Sequence, residues 1–216
     1  MPKRKPKTSI EERTASIMQF LKANPRLVQV AEETRCGEPL EGMCRRFATC
    51  DSTAPKAFKK MLTHLEYRAK HKVDSLAFLP ARQVFKHAEA QMAYNRMMPH
   101  GLLGHDKDGS LVLYKHCGNL SVSELARRGA DMATTLRYNE WVTERLLHAM
   151  GHCGQWTVIV DLKGLSISQI ASMKWMLWTQ AMASHDALHY PDRLNRVRAT
   201  PAISAHIPCL LRVTPS

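Results

Sequence analysis

Apolar positions in the first third of the chain recur with helical spacing. Ile10, Ile17 and Leu21 follow a capping box made by Ser9 and Glu12, and Pro25 ends that segment. Leu40, Met43, Cys44 and Phe47 repeat at i, i+3, i+4, i+7 and predict a second, short helix. Asp51-Ser52-Thr53 interrupts the pattern, with Thr53 placed to N-cap a third helix. That helix is predicted to bury Phe58, Met61, Leu62, Leu65 and Ala69 on one stripe and to turn Lys56, Lys59, Lys60, Arg68 and Lys70 outward. The result is a small all-helical module with a basic exterior.

The pattern changes near Pro99. Residues 99–114 read as loop, turn and strand, with Asp108-Gly109 as the tight turn. Ser121 and Glu124 suit another capping box, which predicts one long helix from Val122 to Met150, broken by Gly151 and Gly154. Trp156 to Val160 is a continuous apolar run without alternation, the mark of a strand buried on both faces in a parallel sheet. A further helix is predicted from Ser166-Ile167-Ser168 through Ile170, Met173, Met176, Leu177 and Ala181 to His185, stopped by Tyr190-Pro191. This order predicts an α/β fold: a helical module followed by an α/β lobe with a mostly parallel sheet.

Composition and charge add three constraints. Hydrophobic residues make up 44% of 216 residues, enough for a substantial core. The formal charge of +12 favours anionic partners, either nucleic acid or an anionic membrane leaflet. Part of the excess is the Pro-broken tail Met1 to Lys7, which suits a nuclear-import signal, a membrane-attracting patch or a solvated terminus. No run approaches the roughly 20 apolar residues of a membrane span, and the start lacks the apolar region of a secretory signal. The expected location is therefore cytoplasmic, with peripheral membrane association; the basic tail leaves a nuclear location as the alternative. Six scattered cysteines are expected to be free thiols.

Four segments, in order, resemble the CRAL-TRIO lipid-binding family, the group that includes phosphatidylinositol/phosphatidylcholine transfer proteins, tocopherol transfer protein and retinaldehyde-binding protein. Phe58 to Arg68 resembles its "L-x-x-x-L-x-W-R" helix. Pro99-His100-Gly101 with Asp106 to Gly109 resembles its "D-x-x-G-R-P-V" turn. Val158-Ile159-Val160-Asp161-Leu162-Lys163-Gly164-Leu165-Ser166 resembles its strand and turn, and Tyr190-Pro191-Asp192-Arg193-Leu194 its "Y-P-E-R-L" signature. The resemblance runs from Leu40 to Val197. It implies a bowl-shaped lobe whose sheet floors an apolar pocket closed by a mobile helix. It also implies a division into a basic tail (1–8), a helical module (9–80), a partial lipid-binding lobe (81–197) and a divergent tail (198–216).

The sequence departs from that pattern in places that bear on the ligand. Where phosphatidylinositol-binding relatives have "R-F-L-R-A-R-K", this chain has Arg46-Phe47-Ala48-Thr49-Cys50-Asp51-Ser52 and keeps only the first arginine. Trp156 and Val158 stand where phosphatidylcholine-binding relatives have Ser-x-Thr, and Leu102 and Leu113 where tyrosines are expected. The pocket lining this implies is Leu102, Leu113, Trp156, Val158, Val160 and Asp192, apolar enough to suit a neutral hydrophobic lipid. After Leu194 the family continues with an apolar strand, then a gate helix. Here Asn195 to Pro201 carries Arg196 and Arg198, and the chain reaches Ser216 soon after. The expectation is that this strand is missing, that residues beyond Val197 pack loosely and that the floor is open on one side.

The expected function is non-catalytic binding of a single hydrophobic lipid or phospholipid, for transfer between membranes or for sensing. Lys56, Lys59 and Lys60 are the expected contacts with an anionic membrane surface. The alternatives are a basic nuclear or nucleic-acid-associated adaptor and a non-functional truncated lipid-binding domain. The low aromatic content, 6%, disfavours nucleic acid, since stacking platforms between basic residues are lacking. No cofactor and no metal are expected. His148 with His152 and His185 with His189 have i, i+4 spacing but no converging third ligand, and Asp106 to Asp108 lacks the rest of a calcium loop. No nucleophile elbow or phosphate-binding glycine loop is present, and Asp161 reads as a turn former rather than a catalytic acid.

Overall fold

The computed structural model describes residues 8–34, 37–85, 87–151, 154–200 and 211–212. Helices α1 (Ile10–Lys22), α2 (Pro25–Thr34), α3 (Leu40–Thr49) and α4 (Ala54–His71) form the N-terminal module. The predicted box starts α1: Ser9 Oγ accepts the Glu12 amide at 3.1 Å, and the Glu12 carboxylate accepts the Ser9 amide at 2.7 Å. Thr53 holds the N-cap position of α4 without a side-chain bond. Ile17, Leu21, Met43, Phe47, Met61 and Leu65 interlock as the module's own core. Two positions of the α4 stripe differ from expectation. Ala69 is exposed, and Arg68, expected outside, is buried.

A 3-10 turn (Val73–Phe78) and helices α5 (Ala81–Val84) and α6 (Ala88–Met97) lead to strands β1 (His100–Asp106) and β2 (Leu111–His116). The segment expected to be a loop is thus a strand. Gly101 and Gly104 read as loop signals, but Gly104 (φ +105°) serves a β-bulge that absorbs Leu103 in the pairing with β2. The following turn is held by Asp106 Oδ1, which accepts the amides of Asp108 (3.0 Å) and Ser110 (2.9 Å). The long helix expected from Val122 is split into α7 (Val122–Arg127) and α8 (Met132–Ala149). Gly129 at φ +82° turns the chain, and Asp131 caps α8 by accepting the Thr134 amide at 2.8 Å.

Then come β3 (Trp156–Asp161), α9 (Ile167–Ile170), α10 (Met173–His189), β4 (Leu194–Thr200) and β5 (Leu211–Arg212). The sheet order is β4-β3-β2-β1-β5. Strands β2, β3 and β4 are mutually parallel, while β1 is antiparallel to β2 and β5. The strand expected to be missing is therefore present and reaches past Val197, pairing with β3 from Leu194 to Thr200. Arg196 and Arg198 are accommodated because they share a face with Thr157 and Ile159 on an edge strand, where both remain exposed.

Two buried arginine–carboxylate pairs join the module to the lobe. Arg68 grips the fully buried Glu144 of α8 through two bonds, of 2.8 and 3.1 Å, and donates through Nε to the Thr34 carbonyl at 2.7 Å. Tyr190 donates its hydroxyl to the same Glu144 at 2.7 Å. Arg46 grips Glu38 through two bonds of 2.8 Å and donates to the Pro191 carbonyl at 3.0 Å, while Arg193 reaches Glu38 at 2.8 Å. Tyr190, Pro191 and Arg193 of the "Y-P-E-R-L"-like segment thus serve this joint. Bidentate geometry offsets the cost of burying these charges, and loss of one partner leaves the other stranded. We expect Glu144→Ala to destabilise the chain by about 3–5 kcal/mol, and Arg68→Met with Glu144→Leu to recover much of that loss. Urea unfolding of the single and double variants measures it; additive losses would contradict a coupled pair.

Between these pairs His64 and His189 meet, Nδ1 to Nδ1, at 3.3 Å. Burial, then the guanidiniums of Arg68 and Arg46, hold His64 well below 6.5. Burial, then the charge of His185, lowers His189 to about 4. His185 goes the other way: burial lowers it, but bonds to Asp186 and Glu140 prevail and raise it to about 9. A lowered histidine contributes stability that is lost as pH falls below its unfolded value, and a raised one stability that is lost as pH rises above it. Stability from these groups is expected to peak near pH 6.5, falling towards pH 4 through His64 and His189 and towards pH 9 through His185. Melting curves across that range check this; in His185→Asn the alkaline slope should flatten while the acid slope persists.

Candidate functional site

The register of the sheet decides which side chains can act together. Leu102 of β1 pairs with Leu113 of β2, Leu113 with Val158 of β3, and Val158 with Val197 of β4. These four residues form one apolar row across the sheet. The next row on the same face is Leu111, Trp156 and Leu194, and the one beyond it Lys115, Val160 and Ala199. Five of the predicted lining residues, Leu102, Leu113, Trp156, Val158 and Val160, therefore share a face. The middle of that face is covered: Leu113, Trp156 and Val158 are buried against Leu146 and Leu147 of α8 and against Tyr190. Its flanks are not. Leu102 is 50% exposed, Leu194 46% and Val197 56%.

Asp192 lies apart from these rows. It occupies the turn before β4 at φ +55°, where its carbonyl and Oδ1 accept from Gln155 Nε2 at 3.0 and 3.2 Å. An aspartate tolerates that left-handed geometry better than most side chains.

One end of the apolar face is polar, and sequence reasoning missed it. Lys115 donates to Asn139 Oδ1 at 2.8 Å, and Asn139 Nδ2 donates to Asp186 at 3.1 Å. His185 and the buried Glu140 lie beside Asp186, with His185 Nε2 3.6 Å from Glu140. The signal was available at Lys115, which continues the alternation Leu111, Leu113 with a charge. The face thus combines apolar flanks at Leu102 and at Leu194 and Val197 with this polar network at the Lys115 end.

The opposite face carries a different chemistry. Val112 and Ile159 are buried there, Thr157 donates to Asp106 at 2.7 Å, and Arg196 pairs with Asp108 at 3.0 Å. Arg198 joins them around a hollow of about 150 Å³. Burial works to raise the Asp106 carboxyl, but the Thr157 hydroxyl, the Ser110 and Asp108 amides and Arg196 outweigh it and hold it below the usual range. Tyr114 donates to Asp161 at 2.9 Å, and burial, then that bond, push its phenol up to about 12. Asp161 also accepts the Lys163 amide at 2.9 Å. Beside it the two loops that follow β2 and β3 meet, so that a Cβ on Gly118 would lie 1.7 Å from the Lys163 carbonyl oxygen. Only glycine permits that approach.

The remaining sequence candidates are scattered. Lys56 and Lys59 are exposed on α4, whereas Lys60 is partly committed to Asp51 at 2.9 Å. Of the histidine pairs, His185 faces Glu140 and Asp186, His189 faces His64, and His152 lies outside the described residues. Cys44, Cys50 and Cys117 are free thiols, and Cys36, Cys153 and Cys209 lie outside the described residues or carry no described side chain. No described helix is long and apolar enough to cross a membrane.

Comparison with known proteins accounts for this architecture. No curated protein matches the chain in sequence. The crystal structure of Sfh5 superimposes with a TM-score of 0.61, covering 94% of this chain and 74% of that one at 16% identity, a likeness of fold. The family profile of the CRAL/TRIO domain matches residues 95–201, which run from the end of α6 through β4 and hold the whole apolar sheet face. Lipid binding in general is what that domain supports. Through residues 95–201 the chain carries a domain of the CRAL/TRIO family.

Proposed function

We propose that the chain binds a single hydrophobic lipid on the apolar sheet face, without catalysis, and carries it between membranes or reports its presence. The observation that carries this reading is the row Leu102, Leu113, Val158 and Val197, continuous across four strands and uncovered at both ends. Each methylene taken from water onto an apolar surface gains about 0.8 kcal/mol, so an acyl chain has reason to lie on the uncovered flanks at Leu102 and at Leu194 and Val197. The Lys115–Asn139–Asp186 network supplies donors and acceptors for a polar headgroup at one end. Exposed Lys56 and Lys59, within a chain of charge +12, support attraction to anionic leaflets and hence a peripheral, cytoplasmic setting.

Native mass spectrometry of the purified chain tests the reading. The expected spectrum contains the chain plus one lipid mass, and Val197→Glu, at an exposed strand position, should lower that occupancy severalfold without changing the melting temperature. Detection of the bare chain alone, both as purified and after incubation with a total lipid extract, would contradict it.

A further inference from the structure

The connection from β3 to β4 carries an apolar surface that no described element covers. Ile167 and Ile170 of α9 and Met173, Met176 and Leu177 of α10 are all exposed, Ile167 by 85% and Met173 by 64%. Helix α10 has two apolar sides. Trp178 and Met182 enter the core with Phe85, Tyr94 and Tyr138. Met173, Met176 and Leu177 follow one another at i, i+3, i+4 on another side, in solvent. A helix that is apolar on both sides is normally enclosed, and a contiguous exposed patch marks a contact surface.

This patch is held in shape rather than loosely attached. Ser166 and Gln169 form a capping box at the start of α9, and Gln169 Nε2 donates to the Leu120 carbonyl at 3.3 Å, tying α9 to the loop before α7. A preformed surface loses little conformational freedom on binding.

Its surroundings select the partner. No aspartate or glutamate lies between Asp161 and Asp186, while Lys163 and Lys174 are exposed beside the patch and Trp175 is half-buried next to Lys174. Apolar side chains without carboxylates, bordered by lysines and an indole, match the boundary of an anionic bilayer. There the acyl region takes up Ile, Met and Leu, the indole suits headgroup level, and ammonium groups meet phosphates. A second copy of the chain fits less well: a two-fold contact across the patch would repeat the lysines, and the α9–α10 segment itself brings no carboxylate to pair with them. We propose that the α9–α10 face docks the chain on anionic lipid surfaces by shallow insertion of Ile167, Ile170, Met173, Met176 and Leu177. This docking is independent of whether a lipid occupies the sheet face.

Sedimentation with phosphatidylcholine vesicles containing about one-third phosphatidylserine tests the proposal. The wild-type chain should pellet with them, and Met173→Glu with Leu177→Glu should weaken binding about tenfold or more, with circular dichroism and melting unchanged. Ile167→Ser with Ile170→Ser is the second variant and decides the matter if the glutamates unfold the chain. Wild-type binding by a folded variant overturns the proposal, as does a wild-type chain that stays in the supernatant at low salt. Ultracentrifugation that finds a wild-type dimer and monomeric variants overturns it in favour of a contact between copies. Native mass spectra of the same samples read the held lipid separately, so loss of vesicle binding with lipid retained supports docking alone.

Discussion

The carboxylate of Glu144 is the constraint on which the rest of the fold depends. It sits wholly inside the protein, on the helix that covers the sheet, and is usable there only because Arg68 from α4 and Tyr190 from the end of α10 converge on it. A buried carboxylate without such partners would be protonated or would expel its element. That single group therefore fixes α4, α8 and the start of the β4 approach relative to one another. The Glu38 pair with Arg46 and Arg193 repeats the arrangement one step along the joint. The one arginine retained from the basic stretch of phosphatidylinositol-binding relatives is thus occupied in holding the protein together.

With the joint fixed, the sheet follows. Helix α8 lies against Leu113, Trp156 and Val158 and protects the centre of the apolar face, while Leu102, Leu194 and Val197 remain exposed. Polar groups are segregated by strand parity. Arg196 and Arg198 fall on the far face with Thr157, and Lys115 falls on the near face at its end. The near face is thus apolar across its rows and polar at the Lys115 end.

Much of this was legible locally. The periodicity of α1, α3 and α4, the box at Ser9 and the unbroken run of β3 reflect interactions within a few residues, and these elements form where they were expected. Leu102, Leu113, Trp156, Val158 and Val160 share a face because alternation along each strand combines with the antiparallel register of β1 on β2 and the parallel register of β2 on β3. What failed was non-local. Arg68 looked like one more surface cation because Glu144, the fully buried one of its two carboxylate partners, lies 76 residues away; the other, Asp74, is six residues on. Arg196 and Arg198 looked incompatible with a strand because a sequence does not say which face an edge strand turns to solvent. The bulge at Leu103 hid β1 behind two glycines, and Asn139 and Asp186 acquire meaning only once α8 and α10 stand over Lys115.

If the buried carboxylates make the helical module and the lobe one cooperative unit, the two must open together. Native-state hydrogen exchange followed by mass spectrometry measures this directly. Amides in α3 and α4 should show the same opening free energy as those of β3 in the wild-type chain, and Glu144→Ala should lower both by the same amount. Exchange in α3 and α4 that is unchanged by the substitution, or already far faster than that of β3 in the wild type, would contradict the account.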